Sequence, residues 1–236
     1  MAALSDGGAR GLAALSDGDV RALERCAGAG GVAVIPTDTV YGLACAADSP
    51  AALARLHALK GRGQPKPAAI LFGSLAAALD TLGDLPEPTR RALEALLPGP
   101  VTAVVADPRG RFAHASGERP TVGIRVPALA GPLAALRTLR VALAQSSANP
   151  TGGPDPARVA DIAAPILAGA DLVLDAGALS GRPSTVVDLH RLHRSGEWRI
   201  LRPGALEAAV VAQRLGRAPA DSASGPAAGE GVDSSP

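Results

Sequence analysis

From Ser16 to about Leu215 the chain alternates short apolar runs, bounded by glycine and proline, with longer stretches whose apolar residues recur every three or four positions. No other feature constrains the fold as strongly. A short, continuously apolar run suits a buried strand, and a period of three to four suits a helix with one inward face. Residues 32–35, 68–72, 101–106, 121–126, 141–145, 172–174, 185–189 and 198–201 are predicted as strands. Ser16 followed by Asp19 marks a helix start, with Val20, Leu23 and Cys26 on one face and Gly28, Gly30 and Gly31 at the end. Ser49-Pro50 opens a second helix that turns Leu53, Leu56 and Leu59 inward and stops at Gly61. Ser74 caps a short helix, residues 88–97 make another, Gly131-Pro132 opens one that runs to about Leu139, and residues 205–215 form the last. Residues 156–167 are predicted helical around Pro165, which is expected to kink or end that helix. Such alternation predicts an α/β protein whose sheet is covered on both sides. Several late strands lie close in sequence, so some pairs are expected to be antiparallel.

The core of such a sheet must be aliphatic here, because 47% of the 236 residues are hydrophobic and only 2% are aromatic. One large domain is expected over residues 16–215. Residues 1–15 read as a flexible N-terminal segment, and residues 216–236 as a disordered tail too polar and small-residue-rich to bury a core. The pentapeptide ALSDG occurs at 3–7 and again at 14–18, an isolated echo rather than an architectural repeat. No apolar run approaches the ~20 residues of a membrane-spanning helix. Asp6, Asp17 and Asp19 interrupt any signal-peptide pattern. Cys26 and Cys45 are too few for a disulfide framework or a zinc site and read as free thiols in a reducing compartment. The expectation is a cytoplasmic protein with no membrane contact. A net charge of +1 lacks the basic excess of a nucleic-acid binder, though it is compatible with a local basic patch.

At the mouth of the first strand, Ile35-Pro36 leads into Thr37-Asp38-Thr39, three small polar residues, and then to Tyr41, the single tyrosine. GAGGVA at 28–33 has the order helix, glycines, strand, the reverse of a dinucleotide fingerprint, and no GxxxxGK[ST] occurs. His57, His114, His190 and His193 have no GxSxG partner and read as surface or packing histidines. Lys60-Gly61-Arg62-Gly63-Gln64-Pro65-Lys66-Pro67 has two readings. It can be a helix C-terminus followed by a solvated loop. It can also bring a Lys point charge and an Arg fork onto one polyphosphate, with Gly61 and Gly63 freeing the backbone. Ser146-Ser147-Ala148-Asn149-Pro150-Thr151-Gly152 can be turn chemistry, or ligand-binding groups at a strand's carboxyl end, where open α/β sheets bind. Ser184-Thr185 and Arg202-Pro203-Gly204 are open to the same two readings.

Taken in order, Thr37-Asp38-Thr39-Val40-Tyr41-Gly42-Leu43, Lys60-x-Arg62, Leu97-Pro98-Gly99-Pro100-Val101-Thr102, Arg125-Val126-Pro127, Ser147-x-Asn149, Ser184-Thr185-Val186-Val187-Asp188 and Arg202-Pro203-Gly204 resemble the YrdC-like family over roughly residues 18–215. Gly63 departs from the family's usual proline after Lys-x-Arg, and Ala68 from its usual leucine. The resemblance implies a twisted open sheet of mixed parallel and antiparallel strands, flanked by helices. It also implies the activity of the single-domain members, L-threonylcarbamoyladenylate synthesis. L-Threonine, bicarbonate and ATP give threonylcarbamoyl-AMP and pyrophosphate, the first step of threonylcarbamoyladenosine modification of tRNA. By the same resemblance Lys60 and Arg62 are catalytic, and Lys60, Arg62, Thr121, Ser147, Asn149 and Arg202 bind ATP. Thr37, Arg125 and Ser184 take threonine, Asp38 orients its loop, and Tyr41 is a packing wall. Mg²⁺ is implied with ATP, held mainly by the nucleotide's phosphates. The implied downstream partner is a tRNA threonylcarbamoyl transferase complex, with weak RNA contact at most. Two alternatives stand beside this. One is an RNA-binding or ribosome-assembly module using Lys60, Arg62, Lys66, Arg125 and Arg202 without catalysis, against which the scarcity of aromatic stacking platforms weighs. The other is carbamoyl transfer, as in members that serve hydrogenase maturation.

Overall fold

The computed structural model describes residues 14–61, 67–107, 109–117 and 119–220. Its strands are β1 (Ala33–Ile35), β2 (Gly42–Ala46), β3 (Ala69–Leu71), β4 (Val101–Ala106), β5 (Thr121–Arg125), β6 (Leu143–Ser147), β7 (Leu172–Val173), β8 (Thr185–Asp188) and β9 (Arg199–Arg202). They form one sheet in the order β7-β1-β2-β6-β3-β5-β4-β8-β9. The pairs β1–β7, β3–β5 and β4–β8 are parallel and the others antiparallel, so the sheet is mixed throughout. The helices are α1 (Asp17–Gly28), α2 (Pro50–Leu59), α3 (Leu75–Leu82), α4 (Glu87–Leu96), α5 (Ala113–Ser116), α6 (Ala164–Gly169), α7 (Leu192–Ser195) and α8 (Ala208–Leu215). No described helix is long and apolar enough to cross a membrane.

The strand alternation divides the core into two unequal layers. Val34, Leu43, Cys45, Ile70, Ala103, Val105, Ile124 and Ala144 face one side and pack in a single cluster with Leu53 and Leu56 of α2, Leu93 and Leu96 of α4, and Val211 of α8. The alternate residues Ala33, Ile35, Ala44, Leu71 and Leu143 face the other side, under Val20 and Leu23 of α1 and Leu133 and Leu136 of a 3-10 segment, Gly131–Thr138. This second layer contains no residue of β5, β4, β8 or β9. One face of those strands therefore has no apolar cover, and polar side chains can point from it.

The helix start at Ser16 is as predicted. Its Oγ accepts the Asp19 amide at 3.2 Å, and Asp19 accepts the Ser16 amide at 2.8 Å. Other expectations need correction. Strand β2 went unpredicted, because Gly42–Ala46 follows the polar loop directly and reads as its continuation. Pro165 neither kinks nor ends a helix. It sits in the first turn of α6, where its missing N–H has no partner to lose. Residues 131–138 form a 3-10 segment rather than an α-helix. Strand β6 runs two residues further than expected, so Ser146 and Ser147 belong to the strand itself. The short helices α5 and α7, four residues each, carry no periodic signal long enough to read. Past α8 the chain continues to Ala220, whose amide donates to Trp198 O at 2.8 Å. The terminal segments 1–13 and 221–236 lie outside the described residues.

Candidate functional site

The uncovered sheet face forms the floor of a cavity of about 380 Å³. Register fixes what that floor is made of. Ala69 lies opposite both Gln145 and Gly123, and Gly123 opposite Val104, so the four form one row across β6, β3, β5 and β4. All four line the cavity. The next row brings Arg125 opposite Thr102 and Thr102 opposite Val186. Two glycines keep this floor open. A Cβ on Gly123 would come within 3.1 Å of Thr102 Cγ2, and one on Gly42 within 2.1 Å of Gln145 Nε2. Gly42 thus leaves the room that the Gln145 side chain occupies.

The Thr37-Asp38-Thr39 loop forms one wall. Thr37 Oγ1 donates to Val40 O at 2.7 Å, lies 2.9 Å from Thr39 Oγ1, and accepts the amides of Thr39 and Val40. Small hydroxyl residues fold a loop this way by binding nearby backbone. Asp38 pairs with Arg125 Nη2 and accepts the Ala128 amide at 2.8 Å. Arg125 is only 1% exposed, and its Nη1 also reaches the carbonyls of Gly99 and Val101. Burial pushes this guanidinium below its usual pKa, while Asp38 works the other way. The Leu97-Pro98-Gly99-Pro100 motif thereby gains a role, since its Gly99 carbonyl helps seat Arg125. Tyr41 is fully buried outside the cavity. Its hydroxyl lies 2.8 Å from Gly177 O and 2.9 Å from Asp175 Oδ1, and accepts the Ala176 amide at 3.0 Å. It is a hydrogen-bonded anchor as well as a packing wall.

Lys60 is held by a turn far away in the sequence. It ends α2 with 1% exposure, and its Nζ reaches Ser147 O, Asn149 O at 2.7 Å and Asn149 Oδ1 at 3.0 Å. An ammonium has three donors, and three acceptors of one turn meet them here. Ser147 Oγ also binds Asn149 Oδ1 at 2.6 Å, Asn149 Nδ2 donates to Gly153 O, and Thr151 N donates to Lys60 O at 3.0 Å. The Ser147-x-Asn149 motif and Lys60 are thus one knot. Ser147 lines the cavity, whereas Lys60 and Asn149 stand behind it. Arg62 and Lys66 lie outside the described residues.

The opposite wall comes from β8 and β9. Ser184 Oγ lies 2.8 Å from Thr102 Oγ1, and Arg202 Nη2 donates to Ser184 O at 2.8 Å and approaches Ser184 Oγ at 3.2 Å. A Cβ on Gly204 would sit 2.4–2.5 Å from the Pro183–Thr185 backbone, so the glycine of Arg202-Pro203-Gly204 lets the chain pass close to Ser184. Of the residues predicted for the site, Thr37, Arg125, Ser147, Ser184 and Arg202 all line this one cavity. Thr121 shares the face of Gly123 and Arg125 on β5 but lies outside the lining. Gln145, Thr39, Thr102 and Asp155 line the cavity without having been predicted. Strand alternation backward from Ser147 and Arg125 would have found Gln145 and Gly123.

A profile for the Sua5_yciO_yrdC family, described as "Telomere recombination", matches residues 26–204. The chain belongs to the Sua5/YciO/YrdC family. That match takes in the nine strands found among the described residues and every cavity residue named above. Family relatives include the human threonylcarbamoyl-AMP synthase, 36% identical over 202 residues that cover 81% of this chain and 70% of the human protein. A Thiobacillus denitrificans protein of the same name is 35% identical over 161 residues, covering 68% of this chain and 85% of its own. Among solved structures, P. abyssi Sua5 complexed with L-threonine superposes with a TM-score of 0.76 at 26% identity, covering 87% of this chain. The present chain spans 59% of that protein's length. E. coli YciO, at 21% identity and a TM-score of 0.70, shares the fold, covering 83% of this chain and 94% of its own.

Proposed function

We propose that the chain is a threonylcarbamoyl-AMP synthase, which joins L-threonine, bicarbonate and ATP and releases pyrophosphate. One observation carries this reading. Thr37, Arg125, Ser147, Ser184 and Arg202, drawn from separate segments, converge on one cavity in a chain whose human and Thiobacillus relatives bear that name. The threonine amine and bicarbonate give a carbamate and water. A carbamate oxygen then attacks the α-phosphorus, and the bond to pyrophosphate breaks. The carbamate is short-lived in water, so the chain's task is to hold the reactants together and neutralise charge. Thr37, Arg125 and Ser184 would take threonine. The nucleotide would lie along Ser147 and Arg202, with Lys60 and Asn149 shaping that wall and Thr121 at its margin, and Arg62 would supply a further positive charge to the phosphates. Asp155 is the carboxylate in the cavity lining, which suits an Mg²⁺ that arrives on the phosphates and offsets their charge. The product would pass to a tRNA threonylcarbamoyl transferase complex.

The RNA-binding alternative has less support. Lys60 and Arg125, two of its cations, are each 1% exposed and bound to protein acceptors, so they offer no open basic face. The deciding experiment incubates the protein with ATP, threonine and bicarbonate, then follows pyrophosphate release and the mass of the product. Release that requires all three, with a threonylcarbamoyl-AMP mass, is expected. Release without threonine, or none with the full set, would sink the reading.

A further inference from the structure

Strands β4 and β8 floor the cavity above with Thr102, Val104 and Val186, and then run on to a second cavity of about 250 Å³. Ala106 and Asp107 at the end of β4 line it, as does His190 just after β8. Leu85 and Pro86 supply an apolar wall. Arg109, Arg111 and Arg194 line it too, with His193 beside them. None of the three guanidinium groups makes an ion pair among the described residues. Arg111 gives Nη1 to the carbonyl of Thr81, near the end of α3, and Arg194 gives Nε to His193 Nε2 at 3.2 Å. Their remaining donors stay available.

Two neighbouring carboxylates, Asp107 and Asp188, are engaged elsewhere. Asp107 accepts the backbone amides of Arg111 at 3.2 Å and Phe112 at 3.0 Å, which holds the turn after β4. Asp188 takes His190 Nδ1 at 2.6 Å and Arg199 Nε at 3.2 Å. Asp84 lines the cavity but pairs with none of the three arginines. Three guanidinium groups outnumber the two carboxylates, Asp84 and Asp107, in the lining of this small cavity, so an anion seated among them meets a net positive charge. Their planar forks suit phosphate oxygens in particular. The volume falls below the ~300 Å³ at which drug-sized ligand pockets begin, which points to a small molecule.

We propose that this cavity is a second anion site that takes a small phosphate monoester. Arg109, Arg111 and Arg194 grip the phosphate, and the Leu85–Pro86 wall receives a short apolar body. Nothing in this assignment depends on the chemistry of the first cavity, and its test uses no turnover. The full chain is titrated calorimetrically with inorganic phosphate and with phenyl phosphate, alongside Arg109→Gln/Arg194→Gln and Arg202→Gln. Both changes of the double variant are at exposed positions, so its melting temperature should hold; the single Arg194→Gln gives the same reading if it does not. Phenyl phosphate should bind more tightly than phosphate, should weaken at least about tenfold in the double variant, and should be unchanged in Arg202→Gln. Unaltered binding in the double variant overturns the proposal. So does loss in Arg202→Gln alone, which assigns the phosphate to the first cavity. A third contrary result is no phosphate binding at all beside Arg109- and Arg194-dependent binding of a short RNA, which would make this a nucleic-acid face.

Discussion

Arg125 shows how one side chain can be structural and face a ligand cavity at once. Its donors hold the Thr37-Asp38-Thr39 loop through Asp38 and the 97–101 segment through Gly99 and Val101. Removing one partner of a buried ion pair leaves an uncompensated charge, at a cost of about 3–5 kcal/mol. Asp38→Asn should therefore lower stability by about that much in urea unfolding, and should also release the loop from the cavity wall. A change below about 1 kcal/mol would mean that the carbonyls alone carry Arg125. Gly42 is the complementary case, a residue that acts by lacking a side chain. Gly42→Ala places a Cβ against the mobile end of Gln145, so the amide is driven from its place in the cavity. The expected result is a raised KM with less than about 1.5 kcal/mol of lost stability, because a flexible side chain can move where backbone cannot. Equal kinetics in the variant would remove Gln145 from the site.

Among the elements, β8 and β9 depend on a close pass that only glycine permits. Gly204→Ala sets a Cβ 2.4–2.5 Å from backbone atoms of Pro183, Ser184 and Thr185, none of which can swing aside. Overpacking of this kind costs about 1–3 kcal/mol. The substitution should lower the melting temperature and also displace Ser184 from Arg202, so activity should fall further than stability explains; retained activity in a destabilised variant would separate the two. Most elements were legible in the sequence, and those that were not share a cause. The strands β4 and β5 are apolar runs between clear breaks, and α1 and α2 announce themselves by Ser16 and Ser49-Pro50. Strand β2 has no break before it, α5 and α7 are too short for a period, and Pro165 reads equally as a helix breaker or a first-turn residue until its neighbours' positions are known.

For the whole molecule, the sheet's uneven cover creates the site, and its aliphatic core carries a pH liability. Cys45 is buried in the larger cluster, and burial, with a lesser push from Cys26, raises its thiol to about 12 from 9.0. Burial likewise pushes Tyr41 up. An acid held protonated by the fold adds no penalty below its unfolded pKa. Above about pH 9 the unfolded chain sheds the Cys45 proton while the folded chain keeps it, so stability falls as pH rises toward 12, by at most about 1.4 kcal/mol per unit. Urea midpoints at pH 8 and pH 10 should differ less in Cys45→Ala than in the parent, and identical slopes would exclude the thiol as the cause. The site was partly legible, since Thr37, Arg125, Ser147, Ser184 and Arg202 stand in short motifs whose order the sequence preserves. Lys60 and Ser147-x-Asn149 were legible as residues, but the hydrogen bonds that join them were not, because they link positions 87 and 89 residues apart. The alternation of strands and helices, the aliphatic core and the polar motifs can all be read along the chain, since they follow from local period and side-chain type. Which sheet face stays uncovered, which row each side chain joins and which cations are bound by carbonyls are set by the folded arrangement. Those depend on strand order and on contacts between residues far apart in the chain, which no local pattern encodes.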